Sequence, residues 1–379
     1  GGGQGGGGSG RRGGGGRAGM EEGQRDLLVS VASYALLFLL VFGLSGTVEL
    51  QAFRAQFRDK KGILIGVLCQ FVLLPFCGFC SVKAFYLPPV YGITLLIVCS
   101  SPGGSYSNFW CSVVNADLAL SVAMTTVSSL IAMAALPLNT LLYVHTTYKS
   151  HKDDIQIDWV SMGTALGVVM VAVAGGLFVG DRFRRLRGTI HSMGNAAGLC
   201  LILLGLVYSS LSRENSEPLW SRGWQFYVAT AIPCLVGLVS SLLLSRLAGL
   251  PRPQSLSVCI ETCYQNTGIA LAVALSMFSG SEASLAAGLP VFYQMCQMAF
   301  IISTSLVLFK FGWTYAPPST PILLAALKKW QPGSDGTPVR GAAALTLSPS
   351  HMRMLTPPGT GGHPVLSSQS PALSSPSAV

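Results

Sequence analysis

Ser101-Pro102-Gly103-Gly104-Ser105-Tyr106-Ser107-Asn108 interrupts an apolar run that extends from about 90 to 114. The flanks, Leu95-Leu96-Ile97-Val98 before it and Phe109-Trp110 after it, suit a helix. The interruption does not. Pro102 removes a backbone donor, and two consecutive glycines destabilise a helix where they stand. In hydrocarbon each unpaired backbone group costs several kcal/mol, so such a break persists only where protein, water or an ion satisfies it. The surroundings of this stretch therefore decide the fold.

Half of the 379 residues are hydrophobic and 10% are charged, against about a quarter charged in a soluble domain. Apolar runs close to the 20 residues that a bilayer core of about 30 Å requires recur along the chain. They fall at about 27–48, 62–82, 90–114, 117–144, 159–180, 190–210, 222–246, 255–278 and 284–312. This pattern predicts an all-α polytopic membrane protein of about nine transmembrane helices and excludes soluble folds.

The formal charge of +9 does not indicate a nucleic-acid partner. Arg54, Arg58, Lys60 and Lys61, and again Arg182, Arg184, Arg185 and Arg187, cluster beside spans, as in loops held on the cytoplasmic side against lipid headgroups. Most of the 24 Lys and Arg fall on one side, which places the N-terminus outside and the C-terminus inside. The ten cysteines lie in or at the edge of spans. Cys77 and Cys80 have no second pair or His cluster at zinc spacing, so packing explains them better than a metal or a disulfide framework.

Three segments are expected. Residues 1–25 are Gly/Arg-rich, too poor in apolar surface to fold, and lack the apolar core of a secretory signal. Residues 26–314 form the transmembrane domain. Residues 315–379 are a Pro/Ser-rich disordered tail, in which 322–330 has the pattern of a short surface helix. Thr337, Ser348, Thr356, Ser370 and Ser375 each precede a proline, as kinase targets often do.

A second interruption, Glu261-Thr262-Cys263-Tyr264-Gln265-Asn266-Thr267-Gly268, stands at similar depth in the run 255–278. Glu261 is the acid deepest in any span. At roughly 2.5–3.5 kcal/mol on insertion scales it should face a cavity or a cation. Either break alone reads equally well as a packing kink. The pair reads differently. Tyr106-Ser107-Asn108 and Tyr264-Gln265-Asn266 occupy matching places, and each is followed by a long span containing a proline, Pro137 or Pro290. The second break lies five spans after the first, an odd displacement, so the halves have opposite orientations. Interrupted segments in inverted repeats point to a transporter's binding site at the midplane.

Ser107, Asn108, Ser121, Thr125, Gln265 and Glu261 offer oxygen there, and Ser121 and Thr125 share a helix face. One carboxylate among neutral oxygens suits a monovalent cation better than calcium. Gln70, in mid-span, needs a partner, for which an interhelical hydrogen bond of about 0.6 kcal/mol is the plainer alternative. Gly163 and Gly167 have GxxxG spacing, which fits a dimer face or packing between helices of one chain and leaves the oligomeric state open. Catalysis is not expected. Glu261 has no second carboxylate or nucleophile–base pair beside it, and Asp117 reads as a helix N-cap.

The runs PGGSYSN (102–108), ADLALSVAMTT (116–126) and ETCYQNTGIA (261–270) resemble the bile acid:sodium symporter family. The likeness covers the nine spans and fails in both tails. It implies a core domain of the second, third, fourth, seventh, eighth and ninth spans beside a panel domain of the first, fifth and sixth, with the broken helices crossing in the core. One sodium would be held by Ser107, Asn108, Ser121, Thr125 and Glu261. A second would take Gln70, Glu261, Gln265 and backbone oxygens near Thr262 and Tyr264. Pro102, Gly103, Gly104 and Asn266 would line the substrate cavity.

The implied function is sodium-coupled symport, by alternating access, of a small organic anion such as a bile acid, steroid conjugate or keto acid. Sodium is the coupling ion, lipid the surrounding partner, and no further cofactor is called for. The alternatives are a proton-coupled carrier of the same fold, with Glu261 as proton carrier, and a membrane receptor, which nine spans disfavour. Tyr106 and Trp110 are bulky and would either narrow the cavity or pack against the second span. Family members serve the plasma membrane or a plastid envelope.

Overall fold

A computed structural model describes residues 14–46, 60–104, 106–148, 159–210, 219–278, 280–328, 330–332 and 338–340. The Ser/Thr-Pro steps at Thr337, Ser348, Thr356, Ser370 and Ser375, and Arg54 and Arg58, lie outside these residues.

The described chain is helical apart from two three-residue strands. In order the helices are α1 (Gly14–Ser45), α2 (Lys60–Ala84), α3 (Pro89–Ser100), α4 (Ser107–Val113), α5 (Leu118–Tyr148), α6 (Trp159–Arg182), α7 (Arg187–Ser210), α8 (Trp224–Leu247), α9 (Arg252–Cys263), α10 (Thr267–Met277), α11 (Gly280–Lys310) and α12 (Ile322–Leu327). Five of them, α2, α5, α6, α8 and α11, are each long and apolar enough to cross a membrane. The runs 90–114 and 255–278 are each two shorter helices laid end to end, α3 with α4 and α9 with α10, so the breaks stand where the sequence placed them.

The outward faces are apolar. Leu64, Leu68, Val72 and Phe76 of α2 are all exposed at intervals of four, an apolar stripe that water would not tolerate. In the interior, α1 packs along α6 and α7 and also against α10, and α7 against α11, while α2, α3, α5, α8, α9 and α11 pack among themselves. These are the panel and core groupings. The panel seam is made by glycines. A Cβ on Gly43 would strike the Gly194 backbone, and one on Gly180 would strike Gly46, so α1 meets both neighbours at main-chain distance. Gly163 and Gly167 do the opposite. Nothing lies within 4 Å of a Cβ at either, so the GxxxG pair does not pack inside the panel.

The two halves correspond. α5 and α11 are each 31 residues long and carry Pro137 and Pro290 inside the helix. In α2 the residues Cys69–Leu73 form a π-helical turn. Such turns free a carbonyl and are frequent at functional sites; here the Asn139 amide donates to the Phe71 carbonyl at 2.9 Å.

Two boundaries differ from expectation. α1 begins at Gly14, well before 27, although its first residues are glycines, which disfavour helix by about 1 kcal/mol each relative to alanine. The tail is structured beyond 315. Asn115, held at φ 56°, accepts from Tyr315 N through its carbonyl (2.9 Å) and from Trp330 N through its side chain (2.9 Å). Its amide donates to the Ala325 carbonyl at 2.7 Å. Ala325 of α12 buries against Phe309 and Ala316, so residues after the last span form a strap across the turn joining α4 to α5. A short antiparallel pair, β1 (Trp330–Pro332) with β2 (Pro338–Arg340), follows.

Candidate functional site

The two breaks satisfy one another. Gly103 pairs with Gln265 in an isolated antiparallel bridge. Gly104 N donates to the Tyr264 carbonyl at 2.8 Å, and Asn266 N donates to the Pro102 carbonyl at 2.9 Å. An antiparallel pairing is what two segments related by inversion produce. The approach is close because both positions on the first strand of the bridge are glycine. A Cβ on Gly103 would lie 2.6 Å from Glu261 Oε1 and 3.0 Å from Gln70 Nε2, and one on Gly104 would lie 2.6 Å from the Tyr264 ring.

Glu261, fully buried near the end of α9, is the hub. Thr125 Oγ1 donates to its Oε1 at 2.6 Å and Ser121 Oγ reaches its Oε2 at 3.1 Å. Ser121 also lies 2.9 Å from Asn108 Oδ1. Ser121 and Thr125 project from one face of α5, while Ser107 and Asn108 open α4. Gln70, in the π turn of α2, completes the ring through its proximity to Gly103.

Ser107 Oγ, Gln70 Nε2, Thr262 Oγ1 and Gln265 Oε1 are buried here without a hydrogen-bond partner among the described residues. Folded proteins pair the great majority of buried polar atoms. Several orphans around one carboxylate mark a place where a further polar partner belongs. Among the described residues no three His, Cys, Asp or Glu converge, so the donor set is one carboxylate amid neutral oxygens. The geometry thus brings Asn108, Ser121 and Thr125 to Glu261, with Ser107 beside Asn108 at the start of α4. Gln70 and Glu261 both lie against Gly103, which is bridged to Gln265. Within that break Gln265 Nε2 donates to the Thr262 carbonyl at 2.8 Å. Asp117 caps α5 by accepting from Leu120 N at 3.0 Å.

Two cavities flank the crossing. The first, about 260 Å³, runs between panel and core past Pro102, Gly103, Asn108 and Thr125. The second, about 40 Å³, touches Gly104, Tyr264, Gln265 and Asn266. The four residues expected at the substrate cavity are therefore divided, Pro102 and Gly103 to one side and Gly104 and Asn266 to the other. Tyr106 borders the second cavity, whereas Trp110 packs on the hydrophobic core.

Sequence reading missed Gln294 and Gln297 on α11. Gln297 accepts from Gln265 N at 3.0 Å and donates to the Gln265 carbonyl at 3.3 Å, holding the broken peptide at both ends. Gln294 accepts from Thr267 Oγ1 and from Gln297, each at 2.7 Å, and donates to Tyr264 OH at 3.0 Å. Two glutamines three apart in a span are the available signal. What they hold cannot be read without the fold.

A bundle of membrane-crossing helices with two interrupted spans crossing at a buried acid, flanked by a panel, is the architecture of an integral membrane carrier rather than of a soluble protein. The sodium bile acid symporter family profile matches residues 34–216. The ileal sodium/bile acid cotransporter of Oryctolagus cuniculus is 32% identical over 274 residues, 72% of this chain and 78% of the relative. The sodium-dependent organic anion transporter of Bos taurus is 29% identical over 276 residues, 73% and 72% of the two chains, and that of Rattus norvegicus 32% over 265 residues, 69% of each. The chain belongs to the sodium/bile acid symporter family.

Proposed function

We propose that this protein is a sodium-coupled symporter of a small organic anion. The observation that carries the reading is the ring of oxygens around Glu261, placed at a crossing that separates two cavities. In this reading one sodium binds among Ser107, Asn108, Ser121, Thr125 and Glu261. A second binds among Gln70, Glu261, Gln265 and the carbonyls near Thr262 and Tyr264, with the Gln70 amide turned to present its oxygen.

Charge then explains coupling. The carboxylate and two sodium ions leave one positive charge, which a monoanion neutralises. An uncompensated charge in a low-dielectric cavity is costly, so ions and anion bind with mutual reinforcement. Movement of the panel against the core would expose the crossing to one cavity and then the other. The basic loop at Arg182, Arg184, Arg185 and Arg187 supports a C-terminus on the inner side, cytoplasmic or stromal.

The test is the melting temperature of purified protein in sodium and in potassium at equal ionic strength. A ligand at ten times its dissociation constant stabilises by about 1.4 kcal/mol. Sodium should raise the melting temperature selectively in the wild type and not in Glu261→Gln. Equal melting in both salts, with uptake driven by a pH gradient alone, would replace sodium with protons as the coupling ion.

A further inference from the structure

The strap that follows the last span leaves its largest side chains uncovered. Leu323 and Leu327 of α12 are 73% and 75% exposed, and Ile322 and Leu324 beside them are exposed as well. Leu323 and Leu327 stand four apart and share one helix face. Ala325, two residues from each, is buried against Phe309 and Ala316. A helix on a water-soluble protein does the reverse, covering its leucines and leaving smaller or polar residues outside. α12 gives the protein an alanine and presents leucines outward.

The level of that outward face is fixed by what the strap holds. Phe309 lies in the last turn of α11, one of the helices long and apolar enough to cross the membrane. The Arg246 guanidinium sits 5.5 Å from the centre of the Trp313 ring, and Arg246 is in the last turn of α8, a second such helix. Arg252, at the start of α9, donates to the Phe311 carbonyl at 3.4 Å. The strap thus runs along the ends of membrane-crossing helices. Leu247 and Phe311 at those ends are also exposed, so the apolar surface of the spans continues onto α12. Aromatic and basic residues at this level are the composition of a membrane boundary. From Lys310 to Gln331 the chain holds Lys310, Lys328 and Lys329 and no acid. Outward leucines flanked by lysines complement an anionic leaflet, which takes apolar side chains at its acyl boundary and ammonium groups at its phosphates.

We propose that α12 docks on the bilayer surface at the C-terminal side of the chain, with Leu323 and Leu327 among the acyl chains and Lys310 and Lys328 drawing anionic phospholipid headgroups. The strap already holds Asn115 at the turn into α5, so docking ties that turn to the leaflet. The inference rests on the membrane-crossing helices and is independent of the symport reading.

The experiment is photocrosslinking of the full chain in nanodiscs of equal parts phosphatidylcholine and phosphatidylserine. Leu327→p-benzoylphenylalanine and, separately, Leu323→p-benzoylphenylalanine each replace a mostly exposed side chain. Irradiation should attach phospholipid to the peptide that carries the probe in both variants. A lysine near an anionic surface is worth about fivefold, so phosphatidylserine adducts should exceed phosphatidylcholine adducts about fivefold at low salt. The excess should shrink in 1 M salt, where the screening length is about 3 Å. Adding Lys310→Gln and Lys328→Gln should remove the excess and leave the lipid adducts in place. Absence of lipid adducts at both positions, capture of a second copy of the chain in their place, or equal labelling by the two lipids at low salt would overturn the assignment. A serine-lipid excess that survives loss of both lysines would overturn their part in it.

Discussion

Gly103→Ala is the substitution on which the crossing makes its sharpest demand. Gly103 has no positive φ, so alanine meets no backbone penalty there. The obstacle is space. The new methyl would stand 2.6 Å from Glu261 Oε1, where ordinary contact begins at 3.4 Å, and 3.0 Å from Gln70 Nε2. The carboxylate must retreat by about 0.8 Å, which stretches its 2.6 Å bond from Thr125 to the limit of a hydrogen bond. Losing a hydrogen bond to a charged group costs about 1.5–3 kcal/mol. On the proposed reading that is a tenfold to hundredfold weaker sodium site.

The assay is melting temperature against sodium concentration in detergent. At a concentration that stabilises the wild type by about 1.4 kcal/mol, a tenfold weaker variant gains only about 0.4 kcal/mol. Gly163→Ala supplies the control, since nothing lies within 4 Å of its Cβ. It should leave the sodium midpoint alone and stabilise the helix by about 0.5–1 kcal/mol. A Gly103→Ala protein with the wild-type sodium midpoint would refute the reasoning.

Gln297→Leu removes two bonds to the broken peptide at Gln265. It should cost about 2–4 kcal/mol in sodium and potassium alike, and unchanged melting in potassium would contradict the clamp. Asn139→Ala leaves the Phe71 carbonyl unpaired, since Pro75 has no N–H to offer it; the turn that carries Gln70 should shift and weaken sodium stabilisation, whereas an intact sodium midpoint would separate Asn139 from the site. Asn115→Ala strains a φ of 56° and releases Ala325 and Trp330. Limited proteolysis should then cut within residues 313–330 several-fold faster, and equal cleavage rates would count against the strap.

The spans and both breaks were legible because their signals are local. Apolar length reports the bilayer, and Pro102-Gly103-Gly104 or a buried Glu261 contradicts its surroundings within a few residues. Ser121 and Thr125 were legible through helical spacing. The parts that escaped depend on what faces them. Gln294 and Gln297 look like ordinary interhelical polar residues until Gln265 is seen to lose its helical partners. The π turn at Gln70 is signalled only by Pro75 just beyond it, which has no N–H for the Phe71 carbonyl. The short helix within 322–330 was legible, but its docking as a strap was not, because Pro and Ser composition signals disorder while the order comes from one asparagine about 200 positions earlier.

The bridge between the breaks also sets an order of events in biosynthesis. Pro102 and Gly104 find their partners, Asn266 and Tyr264, only after roughly 160 more residues have been made. At about 5–20 residues per second that takes on the order of 10–30 s. During this interval the first break has a carbonyl and an amide with nothing to bind, at several kcal/mol each if they face lipid. The nascent first half must therefore wait in water or within the insertion machinery. A truncated chain ending before Tyr264 would lack the only bridge partners the described structure gives that break, which makes it a substrate for membrane quality control rather than a half-carrier.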